Sequence, residues 1–188
     1  MPVDRLPPIP ESQMTPAQRD AVREIAAGPR GALIGPFIPA LRSPEFMRRL
    51  QRLGEYLRYQ SALDLRLREM AILLVARQWS QPFEWDVHEP IAIQAGLSPA
   101  IAAAIADGRR PEGMRPDEAL LFDFCTEIQR SQTVSDATFR AAVEMWGEQA
   151  VVDLVGGIGY YAMLALLMNV AHTPVASGRP SSLPTLPR

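Results

Sequence analysis

LRLREMAILLVARQWSQPFEWDVHEPIAIQAGLSPAIAAAI, residues 65–105, is the stretch whose reading decides the fold. It opens behind Asp64 and becomes strongly apolar from Met70 to Ala76, so a helix is expected over about 64–79. Positions 69, 72, 73, 76 and 79 share one stripe of that helix, which puts Glu69 at the polar end of an otherwise apolar face. A second helix is expected to start at Pro82 and stop at Gly96, and Ser98-Pro99 caps a third. Pro90 falls inside the second helix, where it removes the hydrogen bond to the Asp86 carbonyl and should bend the chain just past His88.

Outward from this segment the pattern stays helical. Thr15-Pro16-Ala17-Gln18 is a capping-box start and Gly28 a stop. Residues 28–42, GPRGALIGPFIPALR, read as an irregular connection punctuated by glycine and proline. Ser43-Pro44-Glu45 begins a helix to about Tyr59, with Phe46, Leu50, Leu53 and Leu57 at helical spacing. After an alanine-rich helix ending at Gly108 and a polar loop at 107–116, helices are expected at about 117–131, 136–146 and 148–171. No alternating strand pattern occurs, so the fold class is all-α. The expected organisation is an extended arm over 1–14, a helical domain over 15–172 and a Pro/Ser-rich tail over 173–188 that is disordered or strapped to the surface.

Bulk composition narrows the function classes. The apolar fraction of 47% and charged fraction of 21% in 188 residues suit one soluble domain with a proper core. Nineteen basic against twenty-one acidic residues give a net charge of −2, which offers no general field for nucleic acid. A single cysteine, Cys125, excludes an intramolecular disulfide and any cysteine-pair chemistry within the chain. The polar, proline-rich start MPVDRLPPIPESQ is no basic-then-apolar leader, so a cytoplasmic location is expected. Residues 150–171 are nearly long enough to span a bilayer, but Asp153, Asn169 and three glycines favour the core helix of a soluble protein or an oligomer interface over a membrane span.

Chemistry concentrates in QPFEWDVHEP, residues 81–90. Glu84 and His88 lie four apart and therefore on one helical face, bordered by Gln81 and Trp85. A carboxylate beside an imidazole raises its proton affinity and fixes its orientation, which suits a general acid or base near neutral pH. The alternative is an exposed i,i+4 pair contributing about 0.3–0.5 kcal/mol. Phe83 and Trp85 are costly to leave in water, and with the bend at Pro90 they favour a pocket wall. Glu69 must be paired or functional, the structural option being a bridge to Arg66, Arg68 or another arginine. With only His88 and His172 as histidines and no clustered carboxylates, a metal is not expected, and the absence of a phosphate cradle speaks against a nucleotide cofactor.

The segment 65–105 resembles the signature region of the carboxymuconolactone decarboxylase family, which includes the AhpD-like alkylhydroperoxidases. The corresponding pieces are Arg68-Glu69-Met70-Ala71-Ile72-Leu73, Glu84-Trp85-Asp86-Val87-His88 and Ala95-Gly96-Leu97-Ser98. Flanking stretches 35–58 and 156–172 extend the similarity to most of residues 28–175. The resemblance implies an AhpD-like helical bundle that forms a homo-oligomer, a trimer or hexamer, with the pocket close to a subunit interface. It also implies a small-molecule substrate, and the charge balance and the polar residues of 150–171 already speak against a nucleic-acid or membrane partner. Peroxidase members use a Cys-x-x-Cys pair, and its two positions here hold Gln81 and Glu84, while Glu69 and His88 match the relay glutamate and histidine. Thiol peroxidase chemistry needs a thiolate and a resolving thiol, so an alkylhydroperoxidase is the weaker expectation. The decarboxylase branch implies acid/base chemistry on aromatic or lactone catabolites, with His88 as proton donor, Glu84 orienting it and Glu69 as relay. Arg66 or Arg68 would then hold a substrate carboxylate, with Gln81 and Trp85 bordering the pocket. A non-catalytic binding or structural descendant of the family is the other alternative.

Overall fold

Side-chain caps set most helix starts. The Thr15 hydroxyl accepts from the Gln18 amide and the Gln18 side chain accepts from the Thr15 amide, closing the capping box. Asp64, Gln81, Ser98 and Ser135 each accept from an amide two or three residues ahead. Each cap satisfies a donor that the first helical turn would otherwise leave bare.

The computed structural model describes residues 3–175 and 181–185. Among them the chain forms eight α-helices and no strand: α1 Pro16–Ala27, α2 Phe37–Ala40, α3 Pro44–Tyr59, α4 Leu65–Gln78, α5 Pro82–Gln94, α6 Pro99–Ala106, α7 Pro116–Ser131 and α8 Asp136–Ala171. The all-α class expected from the pattern is the class observed. α5 continues as one helix through Pro90. α8 runs past Gly147, whose φ of 81° and ψ of 162° break the helical geometry where two helices were expected to meet.

One connection carries more structure than its composition suggests. Within residues 28–42 the run FIPA forms α2, because Phe37, Pro39 and Ala40 are buried against the core. Gly35, just before it, has φ +54°, and a Cβ there would lie 2.5 Å from the Phe83 ring. Glycine is required at that point for both backbone and space.

α4 is the hub. It packs against α5, α6, α7 and α8, and its residues Leu67 and Met70–Ala76 are buried all round. Burying each of the larger ones contributes roughly 1.5–3 kcal/mol. α8 is long and apolar enough to cross a bilayer by length and composition, and half of its most apolar window is buried within the protein. It packs against α2, α3, α4 and α7. Its polar residues are tied internally: Asp153 accepts from the Tyr56 hydroxyl at 3.1 Å and the Ala62 amide at 2.8 Å, while Asn169 donates to the Trp79 carbonyl and accepts from Gln81.

The described parts of the N-terminal arm and the tail lie along this core. The Arg5 amide donates to the Ala171 carbonyl at 2.8 Å. In the tail, Ser181 and Ser182 bond to Asp86 and Glu89 of α5, Leu183 is buried, and the Pro184 carbonyl accepts from Arg77. Residues 1–2, 176–180 and 186–188 of the expected arm and tail lie outside the described residues.

Replacing Gly35 by alanine forces a left-handed side-chain residue against Phe83. A stability loss of about 2–4 kcal/mol is expected, read as a lower urea midpoint. An unchanged midpoint would contradict the packing described here.

Candidate functional site

The α4–α5 hairpin brings the acid/base residues together. Its turn is short because Ser80 adopts φ 47° and takes a hydrogen bond from Arg77 at 2.6 Å. Gln81 then caps α5 through the Phe83 amide and reaches α8 by donating to Asn169 at 2.9 Å. With the two helices held side by side, Glu69 of α4 faces His88 of α5. His88 Nδ1 lies 2.6 Å from Glu69 Oε2, and His88 Nε2 lies 3.3 Å from Glu84 Oε2. Glu69, Glu84 and His88 are only 2%, 4% and 2% exposed, which rules out the surface-pair alternative left open by spacing.

Burial alone would push the imidazole pKa down, but hydrogen bonds to Glu69 and Glu84 and their charges outweigh it. The net result holds His88 above its ordinary value of 6.5, favouring the imidazolium with both ring nitrogens donating. The Glu69 contact is short and the Glu84 contact long, so the Nε2 end is the looser one. Glu84 Oε1 is buried without a hydrogen-bond partner. A buried carboxylate oxygen left in that state is a local cost that a donor from a bound molecule would remove.

A cavity of about 350 Å³, counted to its open mouth, lies on the Glu84–His88 side. Tyr160 and Tyr161 of α8 line it, and Tyr161 stands edge-on to the His88 ring with centroids 5.1 Å apart. Burial pushes the Tyr160 hydroxyl up to about 12 and Tyr161 well above its ordinary value, so both stay protonated. Arg30 and Arg58 line the same cavity. The Arg30 guanidinium lies over the Phe37 ring at 4.5 Å, reaches the Tyr160 hydroxyl at 3.4 Å and has a buried Nε without partner. Gly54 permits this arrangement, since a Cβ there would lie 2.0 Å from the Tyr160 hydroxyl oxygen.

Other residues singled out from the sequence fall elsewhere. Arg66 is paired with Asp117 at 2.5 Å and with Glu118, away from His88. Arg68 lines a different cavity, which shares only Tyr161 with the one beside His88. Trp85 is fully buried in the core, and Gln81 acts as cap and inter-helix tie. Cys125 is buried, and burial pushes its thiol up to about 12, which keeps it un-ionised. Arg30, Arg58, Tyr160 and Tyr161 were not anticipated. The signal available for the tyrosines was their position as adjacent phenols in the apolar second half of α8; nothing local marked the arginines.

Among the described residues the protein is thus all-helical, with a buried carboxylate–imidazole–carboxylate set beside a cavity. Residues 44–117, from the start of α3 to the start of α7, match the model of the carboxymuconolactone decarboxylase family, and the all-helical architecture of the described residues is consistent with an AhpD-like fold. No curated protein matches the chain. The matched segment contains Glu69, Glu84 and His88, while Arg30, Tyr160 and Tyr161 lie outside it.

A raised folded-state pKa stabilises the protein fully below the unfolded imidazole value, and that contribution is lost as pH rises through the folded value. The stability advantage of wild type over His88→Gln should therefore shrink as pH climbs from about 6.5, in paired urea titrations. A difference that grows with pH would mean that His88 is held neutral.

Proposed function

We propose that the chain is a small-molecule enzyme using acid/base chemistry on carboxylated unsaturated lactones or related aromatic catabolites, in the manner its family name suggests. The observation that carries this reading is His88 held between Glu69 and Glu84 at the wall of a cavity, with its pKa raised. In the proposed reaction the bond to a substrate carboxylate breaks, carbon dioxide leaves, and the electron pair remains as a conjugated enolate. The His88 Nε2 proton then passes to the carbanionic carbon, and Glu69 on Nδ1 stabilises the ring throughout. Glu84 orients the ring on the cavity side. Two carboxylates would repel an anionic substrate, and Arg30 and Arg58 supply the compensating positive charge in the same cavity.

The working form in this reading is a homo-oligomer in the cytoplasm. Val152, Val155, Leu166 and Val170 of α8 leave apolar side chains in water, which an additional copy of the chain would cover. Thiol peroxidase chemistry receives no support, because Cys125 is buried, un-ionised and alone. A non-catalytic descendant is the second reading, favoured by the fact that both ring nitrogens of His88 already face a carboxylate.

Carbon dioxide release from a panel of carboxylated lactones tests the proposal. His88→Ala should lower kcat/KM by about 10²-fold or more, while Cys125→Ala leaves it unchanged. No turnover by wild type across the panel, with His88→Ala altering only stability, would establish the non-catalytic reading instead. In a parallel hydroperoxide assay the wild-type protein should be inactive.

A further inference from the structure

Arg77, in the last turn of α4, is a buried guanidinium without a carboxylate. It is 8% exposed, and its hydrogen bonds go to neutral acceptors: the Ala106 carbonyl at 3.1 Å, the Pro184 carbonyl at 2.6 Å and the Ser80 hydroxyl at 2.6 Å. Its Nε is buried with no partner. Arg66 is buried on the same helix, but there Asp117 and Glu118 outweigh burial and hold the pKa above its ordinary value. For Arg77 burial acts unopposed and pushes the pKa down. The carbonyl end of α6 at Ala106 offers only a partial negative charge, whereas buried charges are normally matched by a full one.

The same side chain lines a groove between the ends of α4 and α6 and the side of α7. Open solvent set aside, the groove has about 150 Å³ of room. One water requires roughly 10–15 Å³ on that measure, so a small organic molecule fits. Leu74, Ile105 and Phe122 give it an apolar wall, Arg109 and Arg130 are its other cations, and no acid lines it. Arg109 is paired with Asp107 at 2.9 Å, but Arg130 makes no ion pair or side-chain hydrogen bond among the described residues. An adjoining, wider hollow shares Gly108, Phe122, Thr126 and Arg130 and does carry two acids. Both are engaged, Asp123 by Arg110 and Glu127 by the Ser135 amide and the Thr138 hydroxyl.

Two guanidinia without a carboxylate thus share one groove. A phosphoryl group matches their combined charge, carrying about −1.5 to −2 at pH 7, and its oxygens suit the guanidinium fork. We propose that this groove binds the phosphomonoester of a small organic alcohol, with the phosphoryl group on Arg77 and Arg130 and the organic part against Leu74, Ile105 and Phe122. The groove shares no lining residue with the cavity beside His88, and the proposal does not depend on the chemistry performed there.

Calorimetric titration of the full chain at pH 8 with phenyl phosphate, inorganic phosphate and benzoate tests the proposal. Phenyl phosphate should bind, with benzoate, which has the ring but a single charge, and inorganic phosphate, which lacks the ring, each about tenfold weaker or more. Arg77→Gln, Arg130→Gln and the groove-filling Thr126→Trp should each weaken phenyl phosphate by about tenfold or more. Arg49→Gln, at an exposed arginine of α3, should leave it within about twofold. Should Arg77→Gln fail to fold, Arg130→Gln and Thr126→Trp carry the test. Absence of phenyl phosphate binding to wild type, equal affinity for benzoate or inorganic phosphate, or unaltered affinity in Arg130→Gln or Thr126→Trp overturns the assignment. An equal loss in Arg49→Gln would mean a diffuse charge effect and overturn it as well.

Discussion

The contact on which the rest of the structure depends is the 2.6 Å hydrogen bond between Glu69 of α4 and His88 of α5. Both groups are almost wholly removed from water, so neither is tolerable alone. Truncating one partner of such a pair leaves the other buried and uncompensated, at a cost of about 3–5 kcal/mol. Mutual need therefore fixes the spacing of α4 and α5 and with it the wall of the cavity. The same need sets the protonation state. Carboxylates on both sides of the ring make the imidazolium the compatible form, and burial, which works against any charge, is outweighed.

Around that contact the protein places its polar residues as ties between helices. Gln81 and Asn169 join the α4–α5 turn to α8, Asp153 joins α8 to α3 and the following loop, and Arg66 joins α4 to α7. Each sits in a stretch that would otherwise read as continuous apolar packing, and each is satisfied by a partner far away in sequence. The pattern explains how α8 can be apolar enough for a membrane yet serve as a core helix. Its polar groups have partners that only the folded chain supplies. The site itself has two origins: its acid/base set lies within the segment that matches the family model, and the arginines and tyrosines that line the cavity come largely from outside it.

Local chemistry made most of the fold legible. Thr15, Asp64, Ser98 and Gly147 act where one or two turns of helix suffice to see them, and the apolar run Met70–Ala76 marks the central helix directly. The site was legible only as far as helical spacing reaches. Glu84 and His88 share a face by being four apart, but their burial depends on what packs above them. Glu69 meets His88 across nineteen positions, Arg66 meets Asp117 across fifty-one, and Arg30 meets Tyr160 across one hundred and thirty. No periodicity encodes such partners. Arg66 and Arg68 looked equivalent in sequence, and tertiary neighbours alone put one into an ion pair and the other into a cavity. The helical turn Phe37–Ala40 was hidden for a similar reason, since two prolines and a nearby glycine mask a segment that the core makes helical.

The central claim is that His88 is carried as an imidazolium between two carboxylates. Nitrogen-15 NMR of the histidine side chains at pH 7 tests it most directly, with His88 assigned by its loss in His88→Gln. The account predicts two protonated ring nitrogens for His88, reverting toward a neutral ring when Glu69 is replaced by glutamine. A single neutral tautomer in the wild-type protein would contradict it.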